Sequence, residues 1–171
     1  MFALVSYTKQ GSRSVSDFAA ALEGRLRSLA ATHELLGERW WQGVSLTELV
    51  RRELAPYATR NNTEINGSEV VLRAEVGQAM AMVLHELTTN AAKYGAFSSA
   101  RGLLQVSWTT SDDRLNLTWD ETEGPTIDQV GPAGFGTKLL KSALTPFDGK
   151  TEIAFLKSGV HCTMQCRIPK A

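Results

Sequence analysis

The sequence predicts a two-layer α/β sandwich in which one mixed β-sheet is covered on one face by helices. Helical patterns come first along the sequence, and strand patterns follow with further helices interspersed. Several segments alternate apolar and polar residues, as expected of strands with one buried face. With 171 residues, 43% of them hydrophobic and 21% charged, the chain has room for one well-formed core and a short appendage.

Residues 1–39 are predicted to form part of a helical hairpin. Residues 1–10 have the pattern of a helix end, and a loop follows at residues 10–14. The next helix carries one stripe of side chains at spacings of three and four: Phe18, Leu22, Leu26, Leu29, His33 and Leu36. A helix of this kind is typical of a hairpin that dimerises. Because His33 lies on the stripe, we interpret it as a packed or interfacial histidine rather than a catalytic one.

Residues 40–171 are predicted to form the sandwich itself. Ser45 caps a short helix that runs through Leu54 and stops at Pro56. A strand at residues 70–72 precedes a long helix that contains residues 80–94. The remaining predicted elements are strands at 104–108 and 115–119 with a turn at 111–113, a helix after residue 136, and strands at 151–155 and 160–168 joined across 157–159.

Composition excludes several classes of function. The net charge is zero, so no strong electrostatic attraction to nucleic acid or to an anionic membrane is expected. No apolar run approaches the ~18 residues that a membrane span needs, and no signal peptide is recognisable. Cys162 and Cys166 lie on one alternating segment, about 13 Å apart in a strand, which is too far for a disulfide. We expect buried thiols in a reducing cytoplasm.

The most informative segment is residues 85–98. At about 100° per residue, Glu86, Asn90 and Lys93 fall within roughly one 60° arc of the long helix. A carboxylate, an amide oxygen and an ammonium group on one face suit a metal–phosphate site. The alternative is that the two charges are solvated and the amide is an indifferent surface group.

Two further observations concern the same helix. An apolar stripe lies to one side of the polar arc and consists of Met80, Leu84, Leu87, Ala91 and Tyr94. His85-Glu86 begins like a zinc-binding helix, but Thr89 occupies the place of the second histidine. The zinc pair is therefore absent.

Two glycine-containing segments are candidates for contact with a nucleotide. Gly134-Phe135-Gly136-Thr137 leads into a helix, so flexible backbone, a hydroxyl group and free helix N–H groups could meet phosphate oxygens. An ordinary loop leading into a helix explains the same pattern. The segment between Glu121 and Gly134 contains several Gly and Pro residues, and we interpret it as a short mobile lid.

The motifs together resemble a known family. Residues 85–98, His-Glu-Leu-Thr-Thr-Asn-Ala-Ala-Lys-Tyr-Gly-Ala-Phe-Ser, look like the N-box of the HWE sensor histidine kinases, which are bacterial two-component enzymes with a GHKL (Bergerat) ATPase fold. Trp119-Asp120-Glu121 looks like the family's Trp-x-Glu box, and residues 134–140 like its second glycine box. Further matches lie at residues 24–26 and 33–36. The resemblance covers nearly the whole chain, in the expected order.

This resemblance implies a kinase domain that transfers the γ-phosphate of ATP to a histidine, for relay to an aspartate of a response regulator. It implies that Glu86 acts as general base or orienter, that Asn90 ligates Mg²⁺, and that Lys93 neutralises phosphate charge. Glu121 would accept a hydrogen bond from the adenine amino group. The implied nucleotide-binding residues are Asn90, Lys93, Tyr94, Glu121, Gly124, Gly134, Phe135, Gly136 and Thr137.

The resemblance also implies an upstream sensor domain, and the predicted hairpin indicates a homodimer in the intact protein. The zero net charge and the lack of a long apolar run predict no contact with nucleic acid or a membrane, and the free thiols predict a cytoplasmic location. Two departures stand out. Glu123 occupies a position where the family usually has Gly, and its charge could repel nucleotide. The box with the phosphate-accepting histidine, expected just before a segment like residues 1–5, is missing. We therefore expect a fragment that binds nucleotide without autophosphorylating.

Two alternative functions remain open. One is a histidine phosphotransferase-like adaptor that keeps the two-part architecture without binding ATP. The other is a GHKL kinase of the anti-sigma type, which acts on protein serine.

Overall fold

The computed structural model describes residues 43–128 and 135–168. The predicted hairpin at residues 1–39, the end of the predicted lid and Gly134 lie outside the described residues. Three α-helices and seven strands are described: β1 (Val44–Ser45), α1 (Leu46–Leu54), β2 (Thr63–Gly67), β3 (Val71–Leu72), α2 (Ala74–Tyr94), β4 (Leu103–Ser111), β5 (Arg114–Thr122), α3 (Phe135–Ser142), β6 (Lys150–Leu156) and β7 (Gly159–Arg167). Short 3₁₀ turns lie at Ala96–Ser98 and Thr145–Phe147.

Five strands form one mixed sheet in the order β2-β4-β5-β7-β6. β2 pairs with β4 in parallel, whereas the other neighbours pair antiparallel. β1 and β3 form a separate antiparallel pair. The prediction of a mixed sheet is confirmed, but β2, whose one apolar side chain is Ile65, was not predicted.

The sheet buries one face against the helices. Side chains of β4, β5 and β7 alternate between buried and more exposed positions along each strand. The inner face of these strands consists of Leu104, Val106, Trp108, Leu115, Leu117, Trp119, Cys162, Met164 and Cys166, all buried. The outer face is polar: Gln105 donates a hydrogen bond to Glu64, and His161 pairs with Asp120. The predicted coverage by helices on one face is therefore confirmed.

Both cysteines are buried free thiols, as predicted. Burial raises the pKa of Cys162 to about 12 and that of Cys166 to about 11, because the thiolate form is poorly solvated in the core. Neither thiol is therefore reactive at neutral pH.

The start of α1 is set by its cap. Ser45 Oγ accepts a hydrogen bond from the Glu48 backbone N–H at 3.3 Å and donates to Glu69 at 2.7 Å. The predicted serine cap is thus confirmed. The buried side chains of α1 are Leu46, Leu49, Val50 and Leu54. α1 packs against the long helix, and its apolar side chains belong to the hydrophobic core.

The apolar stripe of the long helix α2 ends before its last predicted member. Met80, Leu84, Leu87 and Ala91 are buried, but Tyr94 is 72% exposed. The prediction that Tyr94 belongs to the core stripe is wrong. The helix ends at Tyr94, the chain turns at Gly95, and Ala96 is the next residue that is fully buried.

Several boundaries differ slightly from the prediction, three of them at turns or helix starts. The β4–β5 turn is confined to Asp112-Asp113, α3 begins at Phe135, and Lys157-Ser158 joins β6 to β7. Within the described ranges, no helix combines the length and apolar character that a membrane crossing requires.

Candidate functional site

The polar arc of α2 runs from the interior of the protein to its surface. Glu86 is only 6% exposed, Asn90 is half-buried, and Lys93 is exposed. The alternative in which Glu86 is a solvated surface charge is therefore wrong. A carboxylate is rarely buried without a function or a partner, because leaving water is costly for a charge. The arc therefore offers a buried acid, an accessible amide and an exposed cation in one line.

The second glycine segment lies directly against this arc. A Cβ atom at Gly136 would lie 2.8 Å from Oε2 of Glu86 and 3.8 Å from Nδ2 of Asn90. Glycine at this position lets the first turn of α3 approach the acid and the amide closely. The structure thus brings together Glu86, Asn90 and Gly136, which are separated by up to 50 residues in the sequence.

Two neighbours of Gly136 complete the first turn of α3. Thr137 is half-buried in that turn, and the backbone of Phe135 begins the helix. N–H groups in the first turn of a helix have no partner within the helix, so they are available to an anion. Gly134 and the side chain of Phe135 lie outside the described part of the chain.

A second buried carboxylate, that of Glu121, lies near the end of β5. Glu121 is 4% exposed, and both of its oxygens accept hydrogen bonds. The indole Nε1–H of Trp119 donates to Oε1 at 2.9 Å, and the backbone N–H of Ala96 donates to Oε2 at 2.8 Å. Burial raises the pKa of Glu121, and the two donors oppose the rise because they stabilise the charged form.

Gly95 packs against the Glu121 side chain, and Gly124 packs against Ala96, which donates to Glu121. A Cβ atom at Gly95 would overlap Oε2 of Glu121, and a Cβ atom at Gly124 would lie 3.2 Å from the backbone nitrogen of Ala96. The turn after α2 therefore packs on the Glu121 carboxylate, and the loop that follows β5 packs on that turn. Tyr94, exposed and adjacent to Gly95, lies at the edge of this region.

Glu123 adopts a left-handed backbone conformation. Its φ is 55°, a value that glycine adopts without steric cost and other L-residues adopt at a cost of about 1–2 kcal/mol. This conformation gives a physical reason for the preference for glycine at this position. The Glu123 side chain itself is exposed.

Several of these contacts were not predicted. His85 Nδ1 lies 3.1 Å from Oε2 of Glu53, so the histidine of the motif links α2 to α1. The role of Trp119 as donor to Glu121 was also missed. Residues two apart in a strand face the same side, and that periodicity was the available signal. Nothing in the sequence indicated the donor at Ala96, which lies 25 residues away.

No group of three or more His, Cys, Asp or Glu side chains in the described ranges could enclose a metal ion. Mg²⁺ does not require such a cluster when phosphate oxygens and water supply most of its ligands. Mg²⁺ characteristically binds in this way, through one or two protein oxygens.

Comparison with known proteins identifies the family. A model of the HWE histidine kinase family matches residues 1–69. The blue-light-activated histidine kinase of Rhizobium johnstonii is 38% identical over 125 residues, which are 72% of this chain and 36% of that protein. Blue-light-activated histidine kinase 1 of Erythrobacter litoralis is 33% identical over 165 residues, 92% of this chain and 46% of that protein.

This chain belongs to the HWE histidine kinase family. It spans less than half the length of these two relatives. The family assignment made from the N-box and the Trp-x-Glu box is confirmed.

Solved structures support the fold. The histidine kinase domain of the Erythrobacter litoralis blue-light-activated histidine kinase superposes with a TM-score of 0.68 at 13% identity, covering 86% of this chain and 74% of that one. The ATP binding domain of PrrB from Mycobacterium tuberculosis superposes with a TM-score of 0.54 at 15% identity, covering 74% of this chain and 96% of that one. The chain therefore has the fold of histidine kinase catalytic domains, as the sequence predicted.

Proposed function

We propose that this HWE-family domain binds Mg·ATP and provides the γ-phosphate that is transferred to a histidine of the intact sensor kinase. One observation carries the proposal: the first turn of α3 lies against Glu86 and Asn90, at 2.8 Å and 3.8 Å from a Cβ position on Gly136. A buried acid, a metal-binding amide and a helix N-terminus are thereby placed together. Phosphoryl transfer depends chiefly on such positioning and on neutralisation of charge.

Each residue of the polar arc has a proposed role. The half-buried amide of Asn90 provides an oxygen ligand for Mg²⁺, and the exposed ammonium group of Lys93 neutralises phosphate charge. Glu86 accepts a proton from the attacking imidazole or orients it. When bound, Mg²⁺ neutralises charge on the phosphate oxygens. Gly134, Phe135, Gly136 and Thr137 provide backbone N–H groups and a hydroxyl group to the phosphates.

The base of the nucleotide is proposed to meet Glu121. Its carboxylate is buried where Gly95, Ala96 and Gly124 converge, and each of its oxygens has an acceptor lone pair left after the contacts from Trp119 and Ala96. The amino group of adenine is a suitable donor. Tyr94 and Gly124 lie at the edge of this region and are proposed to border the nucleotide.

The wider assignments belong to the same proposal. The intact protein is proposed to act as a homodimer, to carry an upstream sensor domain, and to pass its phosphoryl group to a response-regulator aspartate in the cytoplasm. Membership of a histidine kinase family and the resemblance of the nucleotide boxes support this proposal.

Titration calorimetry with ATP and ADP, with and without Mg²⁺, tests the proposal. The wild-type chain and Asn116→Ala should bind nucleotide in a magnesium-dependent way. Asn116 is a matched control because it is an amide on β5, outside the arc. Asn90→Ala should lose the magnesium dependence, with affinity reduced about tenfold or more. No binding at millimolar nucleotide would contradict the proposal and favour the adaptor function.

A further inference from the structure

We propose that Trp119 is a positioning residue for base recognition: its indole N–H holds the Glu121 carboxylate in the orientation that accepts a donor from the base. This proposal rests on the proposed nucleotide binding. It assigns a function to the tryptophan of the Trp-x-Glu box, which is 0% exposed and donates its indole N–H to a buried carboxylate.

The geometry leaves the carboxylate one orientation. Trp119 and Glu121 are two residues apart on β5, so both side chains point from the inner face of the sheet. Trp119 donates to Oε1 at 2.9 Å and Ala96 donates to Oε2 at 2.8 Å. With a different donor on each oxygen, the carboxylate cannot rotate about its last bond without losing one of them. Gly95 packs so closely on Oε2 that a side chain there would displace it.

The same two donors also maintain the charge of Glu121. Burial favours the protonated form and raises the pKa of this carboxyl group, whereas the donors stabilise the carboxylate. An ionised carboxylate accepts hydrogen bonds and donates none. Trp119 therefore contributes both the orientation and the chemical state that an acceptor for an amino group requires.

A fixed acceptor discriminates between bases by the group at the six position. Adenine presents an amino donor there, and guanine presents a carbonyl oxygen. A carboxylate held by two donors cannot turn away from an opposing oxygen or fill the place of a missing donor. Sites built to accept a hydrogen bond reject analogues that lack the donor, because the polar group of the protein is then left unpaired.

The test compares ADP with purine riboside 5′-diphosphate, which lacks the amino group, in three proteins by titration calorimetry with Mg²⁺. Wild type should bind ADP about tenfold or more tightly than the analogue. In Trp119→Phe the ratio of the two affinities should fall toward one, mainly because ADP binds more weakly. Trp108→Phe is the matched control, because Trp108 is also buried on the inner face and donates its Nε1–H once, at 2.8 Å to Ser68 O. It should retain the preference.

The outcomes separate the two proposals. If Trp119→Phe weakened the binding of ADP and of the analogue equally, the role of Trp119 would be merely structural, and this inference would be overturned. Failure of the wild type to bind ADP would instead overturn the proposed function, and this inference with it.

A second measurement does not depend on whether Trp119→Phe folds. In the wild-type protein, the indole N–H resonance of Trp119 should shift on saturation with ADP and shift much less with the analogue. The Trp108 resonance should remain unchanged. A Trp119 resonance that does not respond to ADP would overturn the inference.

Discussion

Gly136 and Glu86 are in direct apposition: a Cβ atom on the glycine would lie 2.8 Å from Oε2 of the buried carboxylate. Gly136 is in the first turn of α3, and Glu86 is in the second half of α2. The atom that an added side chain would meet is the end of a flexible side chain rather than backbone. A substitution at Gly136 therefore displaces the proposed catalytic carboxylate more than it strains the fold.

Gly136→Ala should reduce Mg·ATP affinity several-fold while the free energy of unfolding is retained or increased. Alanine is favoured over glycine within a helix by about 1 kcal/mol, and this gain offsets the displacement of Glu86. Calorimetry and urea unfolding measure the two quantities. Ser142→Ala, at an exposed position in the same helix, is the control and should leave the affinity unchanged. Unchanged affinity in Gly136→Ala would argue against a site at this junction.

Gly95→Ala should destabilise the domain by about 1–3 kcal/mol, because the added methyl group would overlap the carboxylate of Glu121 and approach Ala91 Cα to 3.0 Å. Here the neighbours include backbone, so the overlap cannot be relieved by one side-chain rotation. Urea unfolding followed by circular dichroism measures the change.

Gly77→Ala, within α2, is the control for Gly95→Ala, which lies just after the last residue of that helix. Its new methyl group would meet only Val44 side-chain atoms, the nearest at 3.3 Å. Its effect should stay within about 1 kcal/mol, since the gain in helix propensity opposes the crowding. If both substitutions had the same effect, the packing of Gly95 on Glu121 would not be what limits this position.

Local patterns predicted most of the fold. α1 followed from the Ser45 cap and its apolar positions, and the β4–β5 and β6–β7 hairpins followed from their alternation. β2 was missed because Thr63–Gly67 carries a single apolar side chain and pairs in parallel with β4 at the edge of the sheet. Neither the hydrophobic period nor a hairpin turn indicates such a strand.

The candidate site was predictable in its parts but not in its assembly. The spacing of Glu86, Asn90 and Lys93 placed them on one arc, and the structure retains that arrangement. The same periodicity could not show where the core ends, so Tyr94 was wrongly placed within it. The contact of Ala96 with Glu121, across 25 residues, arises from tertiary packing that no local pattern records.

Glu123→Gly should stabilise the domain by up to about 1 kcal/mol and strengthen nucleotide binding a few-fold. Glycine adopts the φ of 55° without steric cost, although its flexibility in the unfolded chain reduces the gain. Removing a carboxylate near the proposed nucleotide site reduces repulsion of the negatively charged nucleotide, and this effect should shrink at high salt. Urea unfolding and calorimetry at two salt concentrations measure both effects.

Asp112→Gly is the control for Glu123→Gly, because Asp112 has the same φ of 55° in the β4–β5 turn, at the far end of β5. It should change stability in the same direction, by less because aspartate tolerates this conformation better, with no effect on nucleotide affinity. An equal change of affinity in both variants would remove the role assigned to the Glu123 charge.

The stability of the domain should depend on pH through Glu121. Burial raises the pKa of Glu121 in the folded state above the ordinary value of 4.5. Between pH 4.5 and that raised pKa, the folded state therefore binds more protons than the unfolded state. The contribution of this group to the free energy of unfolding therefore decreases as pH rises from about 4.5 through the raised pKa, and it is constant above that value.

Urea unfolding of wild type and Glu121→Gln between pH 4 and pH 8 isolates this dependence. The variant carries no titrating group at the position, and the other groups contribute alike to both proteins. Overall stability should be lower in Glu121→Gln, because an amide N–H₂ then faces one of the two donors, Trp119 or Ala96. The wild-type curve should fall more steeply with rising pH than that of the variant in the window above about 4.5. Parallel curves would show that the carboxyl group titrates alike in both states and would argue against its burial.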